Sequence, residues 1–375
     1  MTADTDIEIL GLGVVVPDVK RRQEITADDP WRGKLRILDA QPDVTEAELQ
    51  QADLGGLGNW APVLATLGFR TGAMGYVGDD AAGRIYGQRL QGESGVSNLL
   101  IRTKYTTAVS LITVDHSGER KIGFYPGANQ YFDFEPDVLS GIEENRPKIA
   151  HVAYAGLCQH GFDRNGGKNL ADGISAMREM GIFTSVDTHT IDDYSILEPA
   201  LGVVDLFACN FNEAAAICGG QTLPFGAVLE EAVKDLGQRL GEAHLRRRPG
   251  LRIFGVTTDS GAYVMFQDSR GRVDGDYVRS RYASLPAVDK TGAGDSQRAG
   301  LHAYLLANWE KVRAGELGGC EIASAFQLAN LAATLNIQGR GVSGFRGAKY
   351  GNLADVVDGG QSYKTGTDLY TALRV

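Results

Sequence analysis

The stretch Asp289-Lys290-Thr291-Gly292-Ala293-Gly294-Asp295-Ser296 constrains this chain more than any other. Its small residues leave the backbone uncovered, and Ala293 to Ala307 (AGDSQRAGLHAYLLA) reads as a helix that begins within them. Uncovered N–H groups at a helix N-terminus make an anion site, because their dipoles converge and no side chain blocks close approach. Asp295 falls in that first turn. It either complements the helix dipole or acts as a base beside a bound phosphate, and the turn alone leaves both readings open.

Composition narrows the partner. A formal charge of −10 and a pI near 5.2 argue against nucleic acid or an anionic membrane surface, so a small molecule is expected. The first residues, MTADTDIEIL, are acidic where a signal peptide is basic, and no apolar run approaches the roughly 18 residues that span a bilayer. A cytoplasmic location is expected. Cys158, Cys209, Cys218 and Cys320 show no C-x-x-C spacing and read as buried free thiols of a reducing compartment. The six histidines lack ligand-like spacing. No P-loop is present, since Gly33-Lys34 leads to Leu35 and Gly167-Lys168 to Asn169, and neither H-E-x-x-H nor G-x-S-x-G occurs.

Along the chain, Ile7 to Val16 reads as one buried strand. Its G-x-G is not a dinucleotide fingerprint, because Val16 stands where the third glycine belongs and Pro17-Asp18 follows instead of a helix. Asp18, just beyond the strand, caps a turn or grips a hydroxyl. Residues 19–52 are polar and Pro-punctuated, with Lys34–Leu38 the one convincing strand. Gly55-Gly56 then leads to a helix over Pro62–Gly68, with Asn59 as its N-cap. Arg70–Val77 is the next strand, and Gly78 begins a helix running to about Gly92. Tyr105–Val114 and Arg120–Phe124 around Ser117-Gly118-Glu119 form a hairpin. Strands near Ile149–Ala153, Ile182–Val186, Val203–Phe207 and Arg252–Thr258 alternate with helices, and Tyr263–Phe266 follows as an edge hairpin. This predicts an α/β fold with a mainly parallel central sheet and helices on both faces. Residues 1–18, 53–97 and 127–375 would form it, and the inserts 19–52 and 98–126 a small β-sheet lid. Asn210 and Glu213, three apart at a helix start, make a capping box and also a neutral oxygen beside a carboxylate, able to hold the water shell of Mg²⁺. The run Arg246-Arg247-Arg248 reads as a solvated loop.

Together these pieces resemble the ribokinase-like, or PfkB, carbohydrate kinases, from about Glu8 to Gly341. The landmarks are Gly13 with Asp18, the Gly-Gly and Asn-x-Ala pair at Gly55, Gly56, Asn59 and Ala61, Asn210-x-x-Glu213, and Asp-x-Thr-Gly-Ala-Gly-Asp from Asp289 to Asp295. The resemblance implies ATP-dependent phosphorylation of a hydroxyl on a small sugar or related polyol, with Asp295 as the base. It implies that the amides of Gly292, Ala293 and Gly294 form the anion hole and that Asp18, Gly55, Gly56 and Asn59 bind substrate. Asn210 and Glu213 would hold Mg²⁺ through water, and Thr257, Gly261 and Asn330 would bind ATP. Asp289 and Thr291 would mark a monovalent-cation segment that takes potassium.

The sequence also departs from the family. Lys290 replaces the usual Thr, Gln297 stands where an aromatic is common, and Val16 stands where ribose-specific members often carry Asn, which makes ribose itself a less expected substrate. A nucleoside kinase of the same fold, or a catalytically silent sugar- or nucleotide-binding regulator, is the alternative. The exposed edges of a lid sheet also predict a homodimer through it.

Overall fold

The computed structural model describes residues 7–116, 120–162, 168–189, 196–219, 229–280, 288–337 and 339. Its main sheet has nine strands in the order Val273–Arg279, Gly261–Gln267, Arg252–Thr257, Leu206–Asn210, Phe183–Val186, Ile149–Ala153, Ile9–Gly13, Thr71–Met74 and Val96–Asn98. From Arg252–Thr257 to Val96–Asn98 every pairing is parallel, and the first two strands add an antiparallel edge. Ile9–Gly13 and Ile149–Ala153 are buried throughout, as parallel strands covered on both faces must be. One core gathers Trp60, Leu301 and Phe326 from helices Leu57–Thr66, Ala293–Ala307 and Gly319–Ile337. A second gathers Phe132, Phe162 and Phe207 with Ile174 and Leu240 from helices Lys168–Glu179 and Glu230–His244. No helix among the described residues is long and apolar enough to cross a membrane.

A separate five-stranded sheet runs in the order Leu35–Ile37, Arg120–Tyr125, Val109–Val114, Val15–Arg22 and Asp53–Gly56. It has its own small core of Val19, Leu49, Ala52, Ala82, Ile85 and Val109. The hairpin is present as Val109–Val114 against Arg120–Tyr125, while its turn at 117–119 lies outside the described residues.

Several local expectations are corrected. The run read as one strand over Ile7–Val16 is two, Ile9–Gly13 in the main sheet and Val15–Arg22 in the small one. Asp18 therefore sits inside a small-sheet strand, not beyond a main-sheet end. Arg70–Val77 splits likewise into Thr71–Met74 and Tyr76–Gly78, the latter pairing with Ile101–Thr103. The helix expected from Pro62 starts at Leu57 with Gly56 as its cap, which puts Asn59 in the first turn. The arginine run is solvated only in part: Arg246 and Arg247 are exposed, Arg247 pairing with Glu198 at 2.7 Å, while the largely buried Arg248 pairs with Asp205. Only Cys158 and Cys209 are buried; Cys218 is half-buried and Cys320 exposed, and all four thiols are free.

Helices Leu57–Thr66 and Ala293–Ala307 are joined by a polar contact in the core. Trp60 Nε1 donates to His302 Nδ1 at 3.1 Å, and His302 Nε2 lies 2.9 Å from Ser185 Oγ, itself 3.1 Å from His151 Nδ1. Indole can only donate, so His302 accepts at Nδ1 and carries its proton on Nε2. Burial pushes His302 down to about 3 and His151 well below the ordinary histidine value, so both rings are neutral. Replacing Trp60 with Phe keeps most of the packing and orphans His302 Nδ1. The expected cost is about 1–3 kcal/mol, read from the urea unfolding midpoint; an unmoved midpoint would show the contact contributes nothing.

Candidate active site

Gly292 caps helix Ala293–Ala307 with φ 76°, the left-handed region open to glycine, and a Cβ there would lie 3.1 Å from Asn59 Cγ. The bare turn thus serves both the backbone bend and the approach of Asn59. Gly294 is exposed, with open space where a side chain would project, so the helix start is uncovered. One residue on, Asp295 is only 4% exposed. Its Oδ1 accepts from the Tyr154 hydroxyl at 2.7 Å and its Oδ2 from Asn59 Nδ2 at 3.0 Å. Burial raises the Asp295 carboxyl to about 7; the Tyr154 hydrogen bond opposes this, Asp187 adds to it, and Asn59 and Arg298 oppose it further.

Asp18 lies on the small sheet. A Cβ on Gly55 would fall 2.6 Å from both Asp18 carboxylate oxygens, so glycine at that position is what lets the carboxylate rest against the neighbouring strand. Gly56 pairs with Val15 beside it. Burial raises Asp18 to about 7 as well, against a hydrogen bond from Ser110 and the charge of Lys20, with Asp295 and Asp53 adding to the rise. Asp18 and Asp295 thus feel one another's charge. The structure brings Asp18, Gly55, Asn59, Gly292 and Asp295 together around one space.

Other residues at this site had no local signature. Tyr154 follows strand Ile149–Ala153 and Asp187 follows Phe183–Val186, both at carboxyl ends of parallel strands, where open α/β sheets bind ligands. That topological rule was the available signal. Asp187 Oδ1 accepts from Tyr154 N at 2.5 Å, and Arg298 Nε lies 4.0 Å from Asp187. Burial raises Asp187 to about 6, opposed by Arg298 and by the Tyr154 N–H.

Two cations of the small sheet grip the turn. Lys20 Nζ is 2.6 Å from Asp289 Oδ2 and 2.8 Å from Asp53 Oδ2, and Arg120 donates to Thr291 Oγ1 at 3.3 Å. Asp289 Oδ1 accepts from Thr291 N at 2.9 Å. Both carboxylate oxygens of Asp289 and the threonine hydroxyl thus have partners, and Lys20 sets a positive charge against the carboxylate. Lys290 is exposed.

Asn210 and Glu213 form the expected capping box: Asn210 Oδ1 accepts from Glu213 N at 3.0 Å, and Glu213 Oε2 from Asn210 N at 2.8 Å. Glu213 is buried and thereby raised to about 7, opposed by the Asn210 N–H and by Arg298, with Asp187 adding to the rise. A nearby divalent cation would favour its charged form. Among the described residues, no group of three or more His, Cys, Asp or Glu could hold a metal by itself. One carboxylate beside one amide suits Mg²⁺, which keeps several waters. Thr257 is the register neighbour of Asn210 and donates to Cys209 O at 3.2 Å. Asn330 accepts from Gln297 at 3.0 Å, and Gln297 accepts from Arg298 at 2.9 Å, while Asn330 Nδ2 is buried without a partner among the described residues. Gln297, unexplained by sequence, links Asn330 to Arg298. Gly261 opens the antiparallel strand next to Thr257 and is joined to Asp295 by none of these bonds.

Residues 26–346 match the pfkB family carbohydrate kinases. The chain belongs to that family. A fructokinase of Salmonella typhimurium is 24% identical over 284 residues, covering 72% of this chain and 82% of its own length. A nucleoside kinase of Methanothermobacter thermautotrophicus is 26% identical over 275 residues, covering 71% of this chain and 76% of its own. Among solved structures, the ribokinase of Giardia lamblia aligns with a TM-score of 0.67 at 17% identity, covering 90% of this chain and 95% of that one. The ribokinase-like fold is thereby established, and with the family a kinase that transfers phosphate to an alcohol group.

The buried carboxylates should cost this pfkB kinase stability. An unfolded aspartate ionises near pH ~4, whereas Asp295 ionises at about 7 when folded. The folded state therefore holds its proton more tightly, and stability is lost as pH rises between those values. Ligand-free Asp295→Asn should melt above the parent near pH ~8 and lose that advantage near pH ~4. Equal melting temperatures at both would contradict the raised ionisation.

Proposed function

We propose that this enzyme transfers the γ-phosphoryl group of ATP to a hydroxyl of a small sugar or related polyol, with Asp295 as general base. The observation that carries this reading is a buried carboxylate in the first turn of an open helix N-terminus, oriented by Tyr154 and Asn59 and facing Asp18. An ionisation near 7 suits a base that works at neutral pH. As the acceptor oxygen bonds to phosphorus, its proton passes to Asp295 and the bond to the β-phosphate oxygen breaks, releasing ADP. The amides of Gly292, Ala293 and Gly294 face the charge that spreads over the moving group.

Asp18, Gly55, Gly56 and Asn59 hold the other acceptor hydroxyls. Thr257, Gly261 and Asn330 line the nucleotide position, and Asn210 with Glu213 would hold the water shell of Mg²⁺, which would supply positive charge against the phosphate oxygens. Lys20 supplies at Asp289 the positive charge that potassium would bring, so turnover does not need the ion. The carboxylate, amide and phenol around the base pair equally with the hydroxyls of a sugar or of a nucleoside's ribose, and the sugar reading is supported by the carbohydrate kinase family and the fructokinase relative. We also propose a cytoplasmic enzyme that dimerises through the small sheet, whose edge strand Leu35–Ile37 carries Ile37 at 45% exposure.

Asp295→Asn should lower kcat by about 10²- to 10⁴-fold while ATP binding stays near the parent's; undiminished turnover would sink the mechanism. ATP consumption across a panel of sugars and nucleosides, in potassium and in sodium buffers, should show a sugar as acceptor and the same rate in both salts. A nucleoside as best acceptor, or a potassium requirement, would overturn those parts of the reading.

A further inference from the structure

We infer that Tyr154 is a positioning residue for the base: its hydroxyl holds Oδ1 of Asp295 opposite the Asn59 amide on Oδ2, fixing the carboxylate and aiming its remaining lone pairs at the acceptor. This rests on the assignment of Asp295 as base and adds the group that sets its orientation and proton affinity.

The backbone supplies an independent argument. Tyr154 has φ 57° and ψ 46°, a left-handed conformation that a bulky side chain rarely adopts. Three bonds from the neighbouring strand end hold it there. Tyr154 N donates to the Asp187 carboxylate at 2.5 Å, Ala155 N to Asp187 O at 3.1 Å, and Gly156 N to Thr188 O at 3.0 Å. His189, also left-handed at φ 59°, sets its ring edge-on to the tyrosine with centroids 4.6 Å apart. Strain over-determined in this way, beside a reacting group, is a mark of function. A residue that only filled space would not need it, and the result of holding it is that the phenol reaches a carboxylate 141 positions away in sequence.

The electrostatics give the contact a direction. Asp295 is faced by Asp18 from the small sheet, by Asp187 and Tyr154 from the main-sheet ends, and by Arg298 from its own helix; Tyr86 lies near enough to feel its charge. Arg120 lies near His189 behind the tyrosine. Burial and Asp187 push Asp295 toward its protonated form, and among the groups opposing them the Tyr154 hydroxyl comes first. Tyr154 is itself driven well above its ordinary value by burial and by Asp295, so it stays a donor throughout the working range.

Tyr154→Phe removes the donor and keeps the ring. In ligand-free protein carrying carboxyl-labelled aspartate, with Asp295→Asn used to assign the signal, the NMR titration midpoint of Asp295 should rise by about one to two pH units. With ATP and the fastest sugar of the panel, the acidic limb of kcat should move up by the same amount, and the variant should recover toward parental kcat at high pH. An unmoved midpoint, or a kcat lowered equally at every pH, would reduce Tyr154 to packing and overturn the proposal. If the midpoint moves while the acidic limb does not, the contact is real and Asp295 is not the base, so the mechanism beneath the proposal fails instead. A urea midpoint close to the parent's checks that the variant is folded.

Discussion

Everything at this site depends on keeping one carboxylate, that of Asp295, out of water and in one orientation. Removing a charge from solvent is costly unless donors replace the water, and here the replacements come from two distant parts of the chain. Asn59 arrives because helix Leu57–Thr66 is pinned to helix Ala293–Ala307 through Trp60 and His302. Tyr154 arrives because Asp187 captures its backbone. Asp187 is in turn flanked by Arg298 and by the neutral His151, whose Nε2 lies 3.8 Å away. The polar core is thus a support reaching from the middle of the protein to the Asp295 carboxylate.

The same need explains the crowding of acids. Asp18, Asp187, Glu213 and Asp295 are all raised by burial, and several raise one another. A fold selected only for stability would dilute such a cluster. Hydroxyls donating to these carboxylates, or a divalent cation beside them, would favour their charged forms and offset the cost of holding them together.

Much of the fold could be read from the chain. Helix Ala293–Ala307 has the boundaries its glycines and alanines announce, and the Asn210–Glu213 capping box forms as its spacing requires. Both are local facts, fixed within one or two turns. What could not be read was non-local. Alternating apolar runs report burial but not which sheet buries them, so Ile7–Val16 looked like one strand although it serves two. Three adjacent arginines read as solvated, and only Arg248 is not, because nothing nearby in sequence shows that Asp205 waits for it. Tyr154 was invisible for the same reason, since its partner lies on another element and its residue type is ordinary for a buried site. The Lys20 contact with Asp289 likewise exists only once the small sheet is placed over the turn.

The small sheet is joined to the main body without slack. One residue, Val14, separates strand Ile9–Gly13 from strand Val15–Arg22, and Asp53–Gly56 runs straight into helix Leu57–Thr66. A lid on long tethers swings freely and leaves the floor of its site unchanged. Here Asp18 lies on strand Val15–Arg22 and Asn59 in the first turn of helix Leu57–Thr66, so a tilt of the small sheet would pass through rigid backbone to both. The position of Asp18 and the angle at which the Asn59 amide meets Asp295 would therefore change together.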